Sequence, residues 1–248
     1  MKALVLDCDG VILDSARESF AVARVAYRDL TPGSELDGRD EEALRKRFVE
    51  LMPLGNRAED FGAVMRALDT DLELPDQQAY DRFRDSFDDD WLANYHRHFY
   101  EVRHALAAAS QESWLRLMQP YAPVVQLLRE REGQVAYALA TAKDRPSVET
   151  IFAFHGLDAL FPAHLILDKE IGSNKQAHLQ RLAELLDLPF EEMTFVDDKV
   201  NHLDSVAELG VRCALAAWGY NGPREYALAE ERGYLVCDFD NVEESLFG

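Results

Sequence analysis

Hydrophobic and polar positions divide the chain into stretches with two different rhythms. Near the start, Leu4-Val5-Leu6 is a short continuous apolar run that ends in Asp7-Cys8-Asp9-Gly10. From Val135 onward such runs alternate with stretches of helical period. Residues 135–140 read as a strand, followed by a helix over 146–155 that opens on Pro146 and has Gly156 just past its end. Residues 165–167 form the next apolar run, ahead of a helix from about Asn174 to Leu186 for which Ser173 is the expected N-cap. Residues 193–196 lead into a helix ending near Leu209-Gly210, and 211–216 and 235–237 complete the series. Strands buried on both faces read as such short runs, and their alternation with helices predicts a parallel sheet covered on both sides.

The middle of the chain, 16–118, shows no strand pattern. It is helical in period, with breaks at Thr31-Pro32-Gly33-Ser34 and Met52-Pro53-Leu54-Gly55. Phe83, Phe87, Trp91, Tyr95 and Phe99 recur at helical spacing and predict an aromatic stripe along one helix, best read as packing. The expectation is an α/β domain made of 1–15 and 119–248, with a helical insertion at 16–118.

Composition narrows the function classes. A formal net charge of −20 opposes non-specific binding to nucleic acid or to an anionic membrane surface. Aromatic residues at 10% and hydrophobic residues at 48% set the chain apart from an acidic disordered tail. Cys8, Cys213 and Cys237 are widely spaced and form no CxxC pair, so neither a disulfide framework nor a zinc site is expected. The start, Met1-Lys2-Ala3-Leu4-Val5-Leu6, lacks the pattern of a secretory signal, and the longest apolar run, 135–142, is far short of the roughly 20 residues a membrane span needs. A cytoplasmic protein is the expectation.

Candidate chemistry lies at the strand ends. In open α/β sheets ligands bind at the carboxyl ends of strands, where Asp7-Cys8-Asp9-Gly10 falls. Alternation along the strand sends Asp7 and Asp9 to one side and Cys8 to the other. Two carboxylates so close repel unless a cation or a shared proton lies between them. A solvated Asp-Gly turn is the plain alternative. A calcium loop is not, since Gly10 at its sixth position would put Val5 at the first and Ala16 at the twelfth, where carboxylates are required. A second acidic pair, Asp197-Asp198, ends the run that starts at Met193 and offers ligands for a hard cation, or caps for the next helix. Thr141 ends another strand in a hydroxyl, and Lys175 opens a helix, so together they suit an anionic oxygen.

Four segments, in order, resemble the haloacid dehalogenase-like superfamily of phosphohydrolases: Asp7-Cys8-Asp9-Gly10-Val11-Ile12-Leu13-Asp14-Ser15, Leu139-Ala140-Thr141, Lys175 and Val196-Asp197-Asp198. The resemblance implies a Rossmann-like core with a mobile helical cap of the phosphoglycolate phosphatase and β-phosphoglucomutase-like branch. It implies that Asp7 is the nucleophile and Asp9 the general acid and base. It further implies that Thr141 and Lys175 bind phosphoryl oxygens. Mg²⁺ would be held by Asp7, the Asp9 carbonyl and Asp198, with Asp197 near or through water. Lys169 is a rival to Lys175, which is preferred for its place at a helix start. The turn Trp218-Gly219-Tyr220-Asn221-Gly222-Pro223 is expected beside the site. One departure stands out, because the last motif continues Lys199-Val200-Asn201-His202 where many relatives carry a further acid.

The implied substrate is a small phosphorylated metabolite. A phosphomutase would share the core residues, and a non-catalytic phosphate- or partner-binding protein would share the fold. A dehalogenase would not need Asp9, and a response-regulator receiver would lack the inserted helices. Within the insertion Tyr95, His96, Arg97, His98, Tyr100 and Arg103 form a basic-aromatic patch. Arg103 is the candidate there for meeting a substrate anion, against the alternative of an ordinary helix surface. His96 and His98 lie about 200° apart on a helix and make no metal pair.

Overall fold

The computed structural model describes residues 1–55, 57–171 and 174–248. Along the chain, β1 (Ala3–Leu6) and β2 (Leu13–Asp14) precede α1 (Ala16–Leu30), α2 (Glu41–Leu51), α3 (Ala58–Asp69), α4 (Gln77–Arg84), α5 (Asp89–Ala109) and α6 (Gln111–Leu115). Then come β3 (Gln119–Pro120), α7 (Ala122–Glu130), β4 (Ala136–Ala140), α8 (Arg145–His155), β5 (Ile166–Leu167) and α9 (Lys175–Leu186). The chain closes with β6 (Met193–Asp197), α10 (Val200–Ala207), β7 (Arg212–Ala216), α11 (Pro223–Glu231), β8 (Leu235–Cys237) and α12 (Val242–Phe247). The chain divides into two compact units, Met1–Asp14 with Gln119–Gly248, and Ser15–Met118.

In the first unit six parallel strands run in the order β5-β4-β1-β6-β7-β8. The apolar runs become these strands because every residue of β1 and β6 is buried, which only a sheet covered on both faces allows. Val5, Ala138, Ala140, Phe195 and Leu215 pack with Leu179, Leu182 and Leu203 from α9 and α10. The register aligns the chemistry. Leu6 pairs with Leu139 on one side and with Val196 on the other, so the residues that follow all three strands emerge at one edge. A short antiparallel ribbon, β2 with β3, joins Asp14 to Gln119, where the chain leaves the first unit and returns to it. Nothing in the hydrophobic rhythm announced it, because two residues are too few to show a period.

Helix signals were honoured locally, with shifts of a residue or two. Gly156 ends α8 in the left-handed conformation at φ 66°, which glycine adopts without strain. Asn174 caps α9 by accepting from the Ala177 N–H at 2.9 Å, while Ser173, the cap expected from sequence, lies outside the described residues. Among the described residues no helix is long and apolar enough to cross a membrane.

The second unit is helical. Gly62 lets α3 lie close against Tyr95, since a Cβ there would sit 2.8 Å from the tyrosine ring. The Tyr95 hydroxyl in turn donates to the Ala23 carbonyl at 3.0 Å. The aromatic stripe does not follow one helix. Phe83 belongs to α4 and Trp91 to α5, because Asp88 accepts from the N–H groups of Asp90 and Trp91 and starts a new helix between them. The rings nevertheless form a continuous file, with centroids 5.1, 5.0 and 5.3 Å apart from Phe83 to Tyr95. Ring contact is thus kept across the capped break, with Phe87 and Trp91 tilted at 45°.

Arg103, the sequence candidate for a substrate anion, is committed to an internal partner. Its Nε and one terminal nitrogen each lie 2.7 Å from the Glu18 carboxylate, which is fully buried. Trp114 donates its indole N–H to the same carboxylate at 3.1 Å, and the guanidinium lies 4.8 Å from the Phe99 ring centroid. A buried bidentate pair with a third donor binds the ends of this unit together and commits the Nε edge of Arg103 to an internal partner. Truncating one member leaves the other charge buried without its partner. Glu18→Gln should therefore destabilise the protein by about 3 kcal/mol, read as a drop in the denaturation midpoint.

Candidate active site

The loop after β1 is shaped by short backbone bonds. The Asp7 N–H donates to the Val196 carbonyl at 3.0 Å and extends the ladder by one residue. Ile12 and Leu13 both donate to the Cys8 carbonyl, at 3.0 and 2.9 Å, and the Gly10 N–H donates to Leu13 at 2.8 Å. The chain thus folds back within a few residues and holds Asp7 and Asp9 at the sheet edge. Gly10 is required twice over. Its φ of 81° is left-handed, and a Cβ on it would fall 2.5 Å from the Asp198 carboxylate. Gly219, from the turn after β7, is excluded from carrying a side chain in the same way, at 2.4 Å from the Asp198 Cβ.

Lys175 stands at the centre. Its Nζ lies 2.7 Å from Asp7 Oδ1 and 3.1 Å from Asp197 Oδ2, and it donates to the Ala140 carbonyl at 2.7 Å. Three acceptors match the three N–H bonds of an ammonium. Burial works against its charge, but Asp197 and Asp7 outweigh that and hold its pKa above the ordinary lysine value. Lys169, the rival from sequence, is exposed. Of the two lysines, Lys175 is the one that meets the acids.

The adjacent acids of β6 face different partners. Asp197 is fully buried, accepts from the Lys199 N–H at 2.9 Å and lies 3.0 Å from His202 Nδ1. Burial opposes its ionisation, yet Lys175 and His202 hold its carboxyl well below the usual range. Asp198 instead accepts the Tyr220 N–H at 2.9 Å, and Asn221 Nδ2 donates to the Asp198 carbonyl at 3.0 Å. Burial pushes Asp198 up to about 7, against the pull of Lys199 and with Asp197 and Asp7 adding to the rise. Asp7 is pushed up to about 6, again by burial, although Lys175 opposes it. The turn at 218–222 was expected beside the site, and it supplies these bonds to Asp198.

Asp7, Asp197 and His202 offer ligand atoms within 4.8 Å of one another. The Lys175 ammonium already sits between two of these three groups, so that junction carries its positive charge without an ion. Asp198 is placed differently. It is a second buried carboxylate whose ionisation is opposed by Asp7 and which Lys175 does not reach among the ion pairs described. Carboxylate oxygens such as those of Asp7 and Asp198 are the ligand type that a hard divalent cation prefers.

Thr141 continues β4. Its N–H donates to the Leu167 carbonyl at 2.9 Å, and its hydroxyl oxygen accepts the Lys143 N–H at 3.1 Å. Two side chains of the cluster were not foreseen in the sequence. Lys143 Nζ lies 3.2 Å from Asp9 Oδ2, and the lysine side chain is only 5% exposed. Its place two residues beyond Thr141, after a strand end, was the available signal. His202 was noticed only as a missing acid, and in the fold it buttresses Asp197. Cys8 is no nucleophile, since burial and the neighbouring Asp9 push its thiol well up.

A family model described as haloacid dehalogenase-like hydrolase matches residues 1–210. The chain belongs to that family. Its membership makes the strand-edge cluster of a hydrolase the place to look for chemistry. No curated protein sequence matches the chain. Among solved structures, a haloacid dehalogenase-like family hydrolase from Streptococcus pneumoniae is 13% identical, with TM-score 0.66 and 99% and 98% of the two chains covered. A predicted phosphoglycolate phosphatase from Haemophilus somnus is 18% identical, with TM-score 0.64 and coverage of 99% and 97%. A predicted phosphatase from Clostridium acetobutylicum is 13% identical, with TM-score 0.68 and the same coverage. At these identities the likeness establishes the fold.

The raised carboxylates give the metal-free hydrolase a defined pH response. A carboxyl whose folded pKa lies above its unfolded value stabilises the fold fully at low pH. That contribution fades as pH rises towards the folded pKa. With Asp198 at about 7 and Asp7 at about 6 against a reference of 3.8, part of the stability should be lost between about pH 4 and pH 7. Thermal unfolding in EDTA across that range checks it. Asp198→Asn should flatten the slope.

Proposed function

We propose that this hydrolase is a Mg²⁺-dependent phosphatase that cleaves a small phosphorylated metabolite through a phosphoaspartyl intermediate. The supporting observation is the buried Asp7 carboxylate, tied to Lys175 at the sheet edge with Asp9 two residues on. Lys175 counters the burial that would otherwise keep Asp7 protonated, and it fixes one carboxylate oxygen while the other is left to attack phosphorus. Asp9, one-third exposed at its side chain, would give a proton to the leaving oxygen and afterwards take one from the attacking water. Thr141 would donate its hydroxyl to a phosphoryl oxygen. Mg²⁺, held by Asp7, the Asp9 carbonyl and Asp198, would supply the positive charge that lets a phosphate dianion approach three carboxylates.

Asp197 is assigned a different part from the one expected. Bound to Lys175, the Lys199 N–H and His202, it would orient the lysine and leave metal binding to Asp198. This arrangement accounts for the missing acid after the fourth motif, because Asp197 already supplies a carboxylate to Lys175.

Phosphate release from a panel of phosphomonoesters, with Mg²⁺ or EDTA, tests the proposal. Turnover should require Mg²⁺, and Asp7→Asn should reduce it by about 10³-fold or more, as expected when a nucleophile is removed. A folded wild type that releases no phosphate across the panel would refute it. Magnesium should also raise the melting temperature more at pH 8 than at pH 5, since protons compete for Asp198 and Asp7 below about pH 7.

A further inference from the structure

Lys143 is a buried cation that none of the roles above uses. Lysine is rarely buried without a partner, and its partner is Asp9. Three observations place it. Its backbone N–H is bonded to the Thr141 hydroxyl oxygen, so the two residues leave β4 as one unit. The next residue, Asp144, is drawn away as the N-cap of α8, accepting from the Ser147 N–H at 2.9 Å. The Asp9 backbone is held by a bridge to Leu13, so the Lys143 ammonium meets its carboxylate from a fixed main chain.

We propose that Lys143 is a positioning residue for Asp9, holding its carboxyl group towards the leaving oxygen of a phosphomonoester. The inference rests on the phosphatase reading and deepens it. In the first step an Asp7 oxygen bonds to phosphorus while the bond from phosphorus to the ester oxygen breaks. The electron pair of that bond stays on the ester oxygen, which takes the proton of the Asp9 carboxyl. Asp9 is left as a carboxylate beside the Lys143 ammonium, a paired charge. The two lysines thereby divide the acids. Lys175 serves the nucleophile and Lys143 the proton donor.

A positioning role for the proton donor has a signature that a structural role lacks. The benefit should grow with the basicity of the leaving group, because a good leaving group departs without a proton. The probes are p-nitrophenyl phosphate, phenyl phosphate and benzyl phosphate, with kcat/KM measured for wild type, Lys143→Met and Lys143→Arg. Lys143→Met should lose at most about 3-fold on the first ester and about 100-fold on the last, the scale of general acid catalysis. Lys143→Arg should recover most of the loss, since it keeps the charge. In an Asp9→Asn background Lys143→Met should no longer change the ratio between esters.

A loss equal for all three esters would overturn the proposal, and would mark Lys143 as a phosphate ligand if KM rises or as a structural residue if the melting temperature falls. If Lys143→Met does not fold, the same ratio is read from Lys143→Gln, with circular dichroism as the check on folding. A folded wild type that hydrolyses none of the esters overturns the phosphatase reading and this inference together. Wild-type turnover with a flat loss overturns the role of Lys143 alone.

Discussion

The site depends on one buried ammonium. Lys175 satisfies all its donors on Asp7, Asp197 and the Ala140 carbonyl, and so joins β1, β4 and β6 at the edge where they end. Without that charge, two buried carboxylates would face each other in a medium that screens little, and one would have to take a proton. With it, Asp197 is held ionised and Asp7 is drawn back from protonation. The geometry of Asp7 and the integrity of the sheet edge therefore have a common cause.

Close approach is the second constraint. Asp198 is packed between Gly10 and Gly219, neither of which has room for a Cβ, and it is held by bonds from Tyr220 and Asn221. Loops from β1, β6 and β7 thus meet on a single carboxylate that burial keeps near neutrality. A carboxyl that is costly to ionise in the absence of a cation is one that binds a cation in competition with protons. Asp197 and Asp198, neighbours in sequence, are divided by the strand's alternation into a partner for lysine and a candidate ligand for metal.

The helical unit shows how a charged side chain that reads as a binding group can have an internal partner. Arg103 lies among aromatics and histidines in an acidic chain, which is how an anion site reads in one dimension. In three dimensions Glu18, far away in sequence and fully buried, takes the Nε edge of its guanidinium. The chain's charge of −20 bears on the α/β unit in a similar way. Local cations, Lys175 and Lys143, are spent on particular aspartates, so any attraction of an anionic substrate has to be generated inside the site and not by the surface.

Local patterns were enough for the strands and their order of appearance, the Gly156 stop and the helical middle, because period and turn chemistry are properties of neighbours in sequence. They were also enough to mark Asp7, Asp9, Thr141, Lys175 and Asp198 as candidates, since each falls at a strand end or a helix start. The β2–β3 ribbon, the capped break in the aromatic file and the partners of Arg103, Lys143 and His202 were not legible. The ribbon and the partners of Arg103 and Lys143 depend on residues brought near by the fold, whereas the cap at Asp88 and the contact of His202 with Asp197 are local and were missed. The sequence by itself determined which residue types stand at the sheet's edge. Only the tertiary structure decided which carboxylate pairs with which lysine, because the energy of a buried charge depends on distances of a few ångströms between residues that the chain keeps far apart.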